Sequence, residues 1–215
     1  MNRTIIYYTS NRENPIFEER IRKTLLENCG DIPIISVSQK PIDLGKNICV
    51  GEVGHSYLNE YRQILIGAKE AETEYIVTAE ADFLYPPEYF NYNPTGADIY
   101  RYNNVWIVFK KGVSKGYKTT PSYGAQICRR EYLIREIEKY LEGQPEWIDG
   151  VKTISGKKDY NVAPFEPFGN EVPCISFKTS DGMSRRCHFL HGEENMSRYL
   201  PYWGDIRELR LKYLW

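Results

Sequence analysis

Net charge is almost absent from this chain: 28 lysines and arginines against 29 acids leave −1 over 215 residues. No global basic field draws it to nucleic acid or to an anionic membrane, although a local basic face is compatible with that total. Long apolar runs are missing too. No segment approaches the roughly 20 residues that a spanning helix needs, and residues 1–8 lack the apolar stretch of a secretory signal. The expectation is a cytoplasmic protein with no membrane partner. Glycine-rich phosphate loops are also missing, which removes the P-loop and the dinucleotide fingerprint. Three histidines are too few for a two-metal hydrolase built on converging carboxylates and histidines. Cys29, Cys49, Cys128, Cys174 and Cys187 are odd in number, widely spread and without C-x-x-C. They read as free thiols in a reducing compartment, and a cysteine-rich zinc site is excluded.

What is there is an ordinary globular composition, 41% apolar and 27% charged, with enough chain for one α/β domain spanning residues 1–215. Residues 4–8 are a β-branched and aromatic run, predicted as a buried opening strand. A polar loop follows, then apolar residues at helical spacing (Ile16, Phe17, Ile21, Leu25, Leu26) that stop at Gly30. Residues 33–37 predict a second strand. This strand, helix, strand order begins a mostly parallel sheet. Residues 40–54 read as irregular and 57–71 as a helix, with Leu58, Tyr61, Leu65 and Ala68 inward. Residues 75–79 form a third, central strand. Residues 97–109 read as two strands turning at Asn103-Asn104. Residues 123–128 lead into a helix over 129–141. Residues 143–171 are rich in loop formers, and 174–178 predict a late strand. The aromatic C-terminal run is expected to dock on the core.

The third strand runs directly into Glu80-Ala81-Asp82. Residues i and i+2 of a strand share a face, so two carboxylates would project together into the crevice where open α/β sheets bind ligands. Like charges so close repel unless they share a cation. A hard divalent ion, Mn²⁺ or Mg²⁺, suits oxygen ligands and would hold a diphosphate. Arg62, on the helix before this strand, could fork onto phosphate oxygens.

Three stretches resemble the GT-A class of nucleotide-sugar glycosyltransferases: Tyr61-Arg62-Gln63-Ile64-Leu65, Glu74-Tyr75-Ile76-Val77 and Glu80-Ala81-Asp82-Phe83-Leu84-Tyr85-Pro86. Glu80 stands where the D-x-D motif of that class has its first aspartate. The resemblance covers the first half of the chain well and the second half loosely. It implies a GT-A-like Rossmann-type sandwich, with a nucleotide-sugar half over about 1–110 and an acceptor half over about 111–215. It implies a nucleoside pocket at Thr9, Ser10 and Arg12, a UDP-sugar donor, and a metal at Asp82 with Glu80 beside it. Gly124 to Glu131 resembles the small-residue loop and helix at the acceptor site. His191-Gly192, with Asn195 and Ser197, resembles the late histidine segment that completes the metal site; His188, three residues earlier, competes with His191. The base of an inverting enzyme would fall between these segments, among Glu146, Asp149, Asp159 and Glu166. Glu166, in a loop stiffened by Pro164 and Pro167, is preferred, and Asp149 is second.

The compactness of the chain, with its Arg62-Gln63-Ile64-Leu65 and Glu80-to-Pro86 stretches, looks similar to small phage and metavirome enzymes associated with TET-type oxygenases, which add sugars to 5-hydroxymethylcytosine in DNA. Lys110-Lys111, Lys115, Lys118, Lys157-Lys158 and Arg185-Arg186 could then meet phosphates. A surface glycan or a protein hydroxyl is the alternative acceptor. A non-catalytic nucleotide- or carbohydrate-binding module is the rival of another class. A sugar-phosphate nucleotidyltransferase is rejected, because the loop after the first strand contains no glycine.

Overall fold

The computed structural model describes residues 2–112, 114–150, 163–179, 181 and 190–215. The chain opens with β1 (Arg3–Thr9), α1 (Pro15–Asn28), β2 (Ile34–Ser38), β3 (Lys46–Cys49), α2 (Tyr57–Glu70) and β4 (Tyr75–Glu80). β5 (Phe83–Leu84), α3 (Pro87–Asn91), β6 (Ile99–Tyr102), β7 (Val105–Phe109), β8 (Gly116–Thr119), β9 (Gln126–Arg129) and α4 (Arg130–Leu141) follow. The remainder holds β10 (Glu166–Phe168), β11 (Cys174–Lys178), β12 (Met196–Ser197), β13 (Tyr199–Leu200), β14 (Gly204–Asp205) and α5 (Ile206–Leu214).

Local chemistry explains the early elements. All seven residues of β1 are buried, as an unbroken apolar run demands of a strand covered on both faces. Asn14 starts α1 by accepting from the Ile16 and Phe17 amides, with Pro15 in the first turn, and Ser56 caps α2 through the Asn59 amide.

A seven-stranded sheet has the order β10-β6-β9-β4-β1-β2-β3. It is mostly parallel: β10–β6, β4–β1, β1–β2 and β2–β3 run parallel, and β9 is antiparallel to both β4 and β6. α2 and α4 cover one face, burying Ile6, Tyr8, Leu58, Ile64 and Leu133. Tyr7, Val77, Tyr85, Tyr89, Tyr100 and Tyr102 fill the other. A second sheet, β12-β8-β7-β11-β5, packs with α1 and α5 around Phe17, Val108, Phe177, Leu209 and Tyr213.

Three expectations change. Residues 97–109 are not a hairpin: β6 pairs with β9 and β10, whereas β7 pairs with β8 and β11 in the other sheet. Residues 40–54 contain the edge strand β3, whose half-exposed Lys-Asn-Ile-Cys has no apolar pattern to announce it. Residues 126–129 form β9 rather than a plain lead into α4. The C-terminal aromatics divide between core and solvent. Tyr213 is buried and the Trp203 indole donates to the Pro173 carbonyl at 2.5 Å, while Tyr199, Tyr202 and Trp215 are exposed. Among the described residues no helix is long and apolar enough to cross a membrane. Cys29, Cys49, Cys128 and Cys174 are free thiols.

Candidate functional site

β1 and β4 lie side by side in the middle of the large sheet, with Tyr8 opposite Glu80. Their carboxyl ends are where an open α/β sheet of this kind places its ligand crevice. The Tyr8 hydroxyl donates to Glu80 Oε1 at 2.9 Å. The Glu80 amide donates to the Tyr85 hydroxyl at 2.9 Å, and that hydroxyl donates to the Gly124 carbonyl at 2.5 Å. Gly124 is needed here for space: a Cβ at this position would sit 2.4 Å from Glu80 Oε1. Burial pushes the Glu80 carboxyl well above its ordinary range, the charges of Asp82 and Glu60 push it further, and Lys178 and the Tyr8 hydroxyl oppose them.

Asp82 is not on the strand. β4 ends at Glu80, so the alternation that would put both carboxylates on one face does not reach Asp82. Its carbonyl accepts from the Phe177 amide at 2.8 Å, and Lys178 Nζ lies 3.4 Å from its Oδ2, with both side chains under a fifth exposed. Glu80 interacts with Tyr8 and Glu60, on the α2 side of the sheet. Asp82 acts on Tyr7, Glu13 and Glu18, on the α1 side.

The loop after β1 is pinned from several directions. The Thr9 hydroxyl donates to Glu18 Oε1 at 3.0 Å, and its carbonyl accepts from Gln63 Nε2 at 2.8 Å. Asn11 adopts φ 52°, a left-handed conformation that asparagine tolerates. From there its side-chain oxygen accepts the Gln39 and Lys40 amides at 2.9 and 2.8 Å. Ser10 is half-buried and Arg12 exposed on this loop.

Glu13, absent from the sequence-based candidates, is buried and accepts the Thr179 hydroxyl at 2.8 and 2.7 Å. Desolvation moves its carboxyl up to about 7, the Thr179 hydrogen bond opposes this, and the fields of Asp82, Asp181 and Glu18 add to it. A raised acid binds its proton more tightly when folded, so its contribution to stability is lost as pH climbs from about 4.5 to about 7. Glu13→Gln is expected to stabilise the protein at pH 8 by about 1–3 kcal/mol and to change little at pH 4. Urea unfolding at both values checks this, and an equal change at the two would refute it.

The other sequence candidates lie as follows. Asp149 Oδ1 accepts the His55 and Gly150 amides at 3.1 and 3.0 Å and lies 3.0 Å from His55 Nδ1. Those amides, with His55 and Arg12 nearby, hold its carboxyl below the usual range; it ties the 54–56 loop to the 149–150 turn. Arg62 Nη2 donates to the Pro145 and Gln144 carbonyls at 2.6 and 3.3 Å, which ties α2 to the 144–145 turn. Glu166 lies on the outer strand β10, about 14 Å from β4 at the usual strand spacing. Its register runs through Tyr100 and Ile127 to Val77, short of the crevice. The structure does not bring Glu166 to Glu80 and Asp82. His191 is exposed in a loop tied to β8 by the Leu190 amide on the Lys118 carbonyl at 2.8 Å. β8 is separated from β11 by β7, and Lys118 is level with Ile175, three residues short of Lys178. Asp159 and His188, with Lys157, Lys158, Arg185 and Arg186, lie outside the described residues.

Among the described residues no group of three His, Cys, Asp or Glu side chains is placed to hold a metal. Asp82 faces an ammonium group and Glu80 a phenol. This donor set does not fit a divalent ion held by Asp82 and His191.

A basic groove of about 680 Å³ is lined by Lys115, Tyr117, Arg198, Arg207 and Arg210, with no acid among its described lining residues. Arg210 donates to the Lys110 and Gly112 carbonyls. The Lys110 amide in turn donates to the Lys178 carbonyl at 3.0 Å, so the groove abuts the strand end that carries Lys178.

No known protein family matches the chain, and no curated protein matches it in sequence. Solved structures that resemble it include Staphylococcus aureus TarS 1–349 in complex with UDP-GlcNAc, at 12% identity and TM-score 0.48, covering 83% of this chain and 59% of that one. HddC from Yersinia pseudotuberculosis has 10% identity and TM-score 0.47, with 82% and 93% covered. A glycosyltransferase involved in glycosylation of the PBCV-1 major capsid has 13% identity and TM-score 0.44, with 79% and 82% covered. The chain thus spans well under two thirds of the TarS fragment it resembles. Likeness at this level leaves function to be argued from the site.

Proposed function

We propose that the chain is a glycosyltransferase that moves a sugar from a UDP-sugar to a hydroxyl of a polyanionic acceptor, duplex DNA carrying 5-hydroxymethylcytosine. One observation carries the reading: Glu80, Asp82 and Lys178 converge at the carboxyl ends of the adjacent parallel strands β1 and β4, next to Thr9 and Ser10. That is the position in open α/β sheets where ligands bind, and it holds the acidic pair that carries the motif resemblance, with Glu80 in place of its first aspartate. Thr9, Ser10 and Arg12 would border the nucleoside. Arg62, engaged by carbonyls, is left out of the phosphate site, and Glu166 and Asp149 are left out of the base role. In the transfer, the bond from the sugar C1 to the diphosphate breaks and a bond to the acceptor oxygen forms. UDP leaves with the electron pair, and the hydroxyl proton passes to solvent.

The acceptor assignment is supported by the basic groove, where Lys115, Arg198 and Arg207 suit phosphodiester oxygens. The experiment is a panel of nucleotide-sugars incubated with 5-hydroxymethylcytosine duplexes, read by mass spectrometry of the DNA and by UDP release. A hexose mass on the DNA, reduced in Arg207→Ala/Arg210→Ala, is the expected result. Donor turnover without DNA modification would redirect the acceptor to a glycan or protein hydroxyl. UDP binding with no turnover of any donor would leave a nucleotide-binding module instead.

A further inference from the structure

Resting on that reading of the crevice, we infer that Lys178 is the cation that receives the donor's diphosphate, so that nucleotide binding needs no divalent metal. On the α1 side Asp82, Glu13, Glu18 and Asp181 act on one another; Arg22 answers Glu18 at 3.3 Å, Lys110 lies 4.0 Å from Asp181, and Lys178 is the cation paired with Asp82. A diphosphate, carrying two or more negative charges, is repelled from such a place unless a positive charge is built in. Lys178 supplies it. Its ammonium faces Asp82 at 3.4 Å from a mostly buried position, and its field reaches Glu80 as well, so one charge serves both members of the acidic pair.

The placement is rigid. β11 is paired on both sides, in parallel with β7, where Lys178 is opposite Phe109, and antiparallel with β5. The Lys178 carbonyl holds the Lys110 amide, and the preceding Phe177 amide holds the Asp82 carbonyl. Lysine and carboxylate are therefore fixed to each other by main-chain bonds. A divalent ion seated on Asp82 would meet that ammonium at close range in a sheltered site, where like charges repel strongly. Metal and lysine are alternatives here, and the strand pairing has chosen lysine.

The test is calorimetric titration of UDP into wild type, Lys178→Ala, Lys178→Met and Lys178→Arg, each in EDTA and in Mn²⁺. Circular dichroism and thermal unfolding confirm that each variant is folded; methionine keeps the buried stem should alanine fail. The expected result is UDP binding in EDTA equal to that in Mn²⁺, weakened on the order of tenfold or more in Lys178→Met and restored in part by Lys178→Arg. UDP binding that requires Mn²⁺ and ignores Lys178→Met would overturn the inference and leave the transferase reading intact. No UDP binding by wild type under either condition would overturn the UDP-sugar reading and this inference with it.

Discussion

Gly124→Ala is expected to cut sugar transfer about a hundredfold while costing the fold little. A Cβ there would lie 2.4 Å from Glu80 Oε1 and 2.8 Å from its Cδ, far inside van der Waals contact. The atoms it meets are the end of a flexible side chain, so the strain is relieved by swinging the carboxylate off the Tyr8 hydroxyl rather than by moving backbone. The fold then loses about one hydrogen bond, roughly 1 kcal/mol. The site loses the placement of one of its two acids, and a displacement near 1 Å at reacting geometry costs about a hundredfold in rate. Steady-state transfer alongside thermal unfolding separates the two effects. A variant that transfers at the wild-type rate would show that the position of Glu80 is not used.

Gly169→Ala is expected to do the reverse. Gly169 has φ +70°, and its Cβ would fall 2.0 Å from Cε2 and 2.4 Å from Cζ of Tyr102. This neighbour cannot swing aside. The Tyr102 hydroxyl is held between Glu88 Oε2 at 2.8 Å and the Val172 carbonyl at 2.5 Å. Its ring stands edge-on to Tyr89 and Phe168 at 5.7 and 5.2 Å. Left-handed backbone on alanine and an overpacked ring together cost about 3 kcal/mol, which corresponds to a fall of roughly 6–12 °C in Tm for a chain of this size. Gly169 follows β10, three strands from β4, so the folded variant should bind UDP as wild type does. Thermal unfolding and UDP titration are the measurements. A Tm within a degree or two of wild type would mean that the ring has room to move.

These two glycines also show what could be read in advance. β1, α1, β2, α2 and β4 were legible because their signals are local: apolar runs for buried parallel strands, apolar residues at helical spacing for the helices, Gly30 as a stop. Glu80 and Asp82 were legible as a pair because they follow such a run. That Asp82 lies beyond the strand was not, because it depends on where β4 stops, and Asp82 gives its carbonyl to the Phe177 amide, ninety-five positions away. Lys178 was hidden for the same reason. It was visible only as the last residue of a strand whose register with β5 and β7 no local pattern encodes. Asn103-Asn104 did mark a turn, but the strands on either side find partners that come later in the chain, so the hairpin never forms. Glu166 looked well placed because prolines flank it, yet rigidity is not location, and the edge position of β10 keeps it from the crevice. Glu13 resembled any loop acid until Thr179 covered it.

The Tyr85 hydroxyl bears on how the crevice greets a ligand. The last amide of a strand ordinarily frays, opening and closing with solvent. Here the final amide of β4, at Glu80, passes its hydrogen to a phenol that passes its own to Gly124. The phenol is wedged between Phe83 and Tyr89, with ring centroids at 5.4 and 4.8 Å. The end of β4 is therefore held by one buried aromatic ring. A ligand bound at that edge would find it already ordered, and the entropy that a looser rim would surrender on binding was given up when the chain folded.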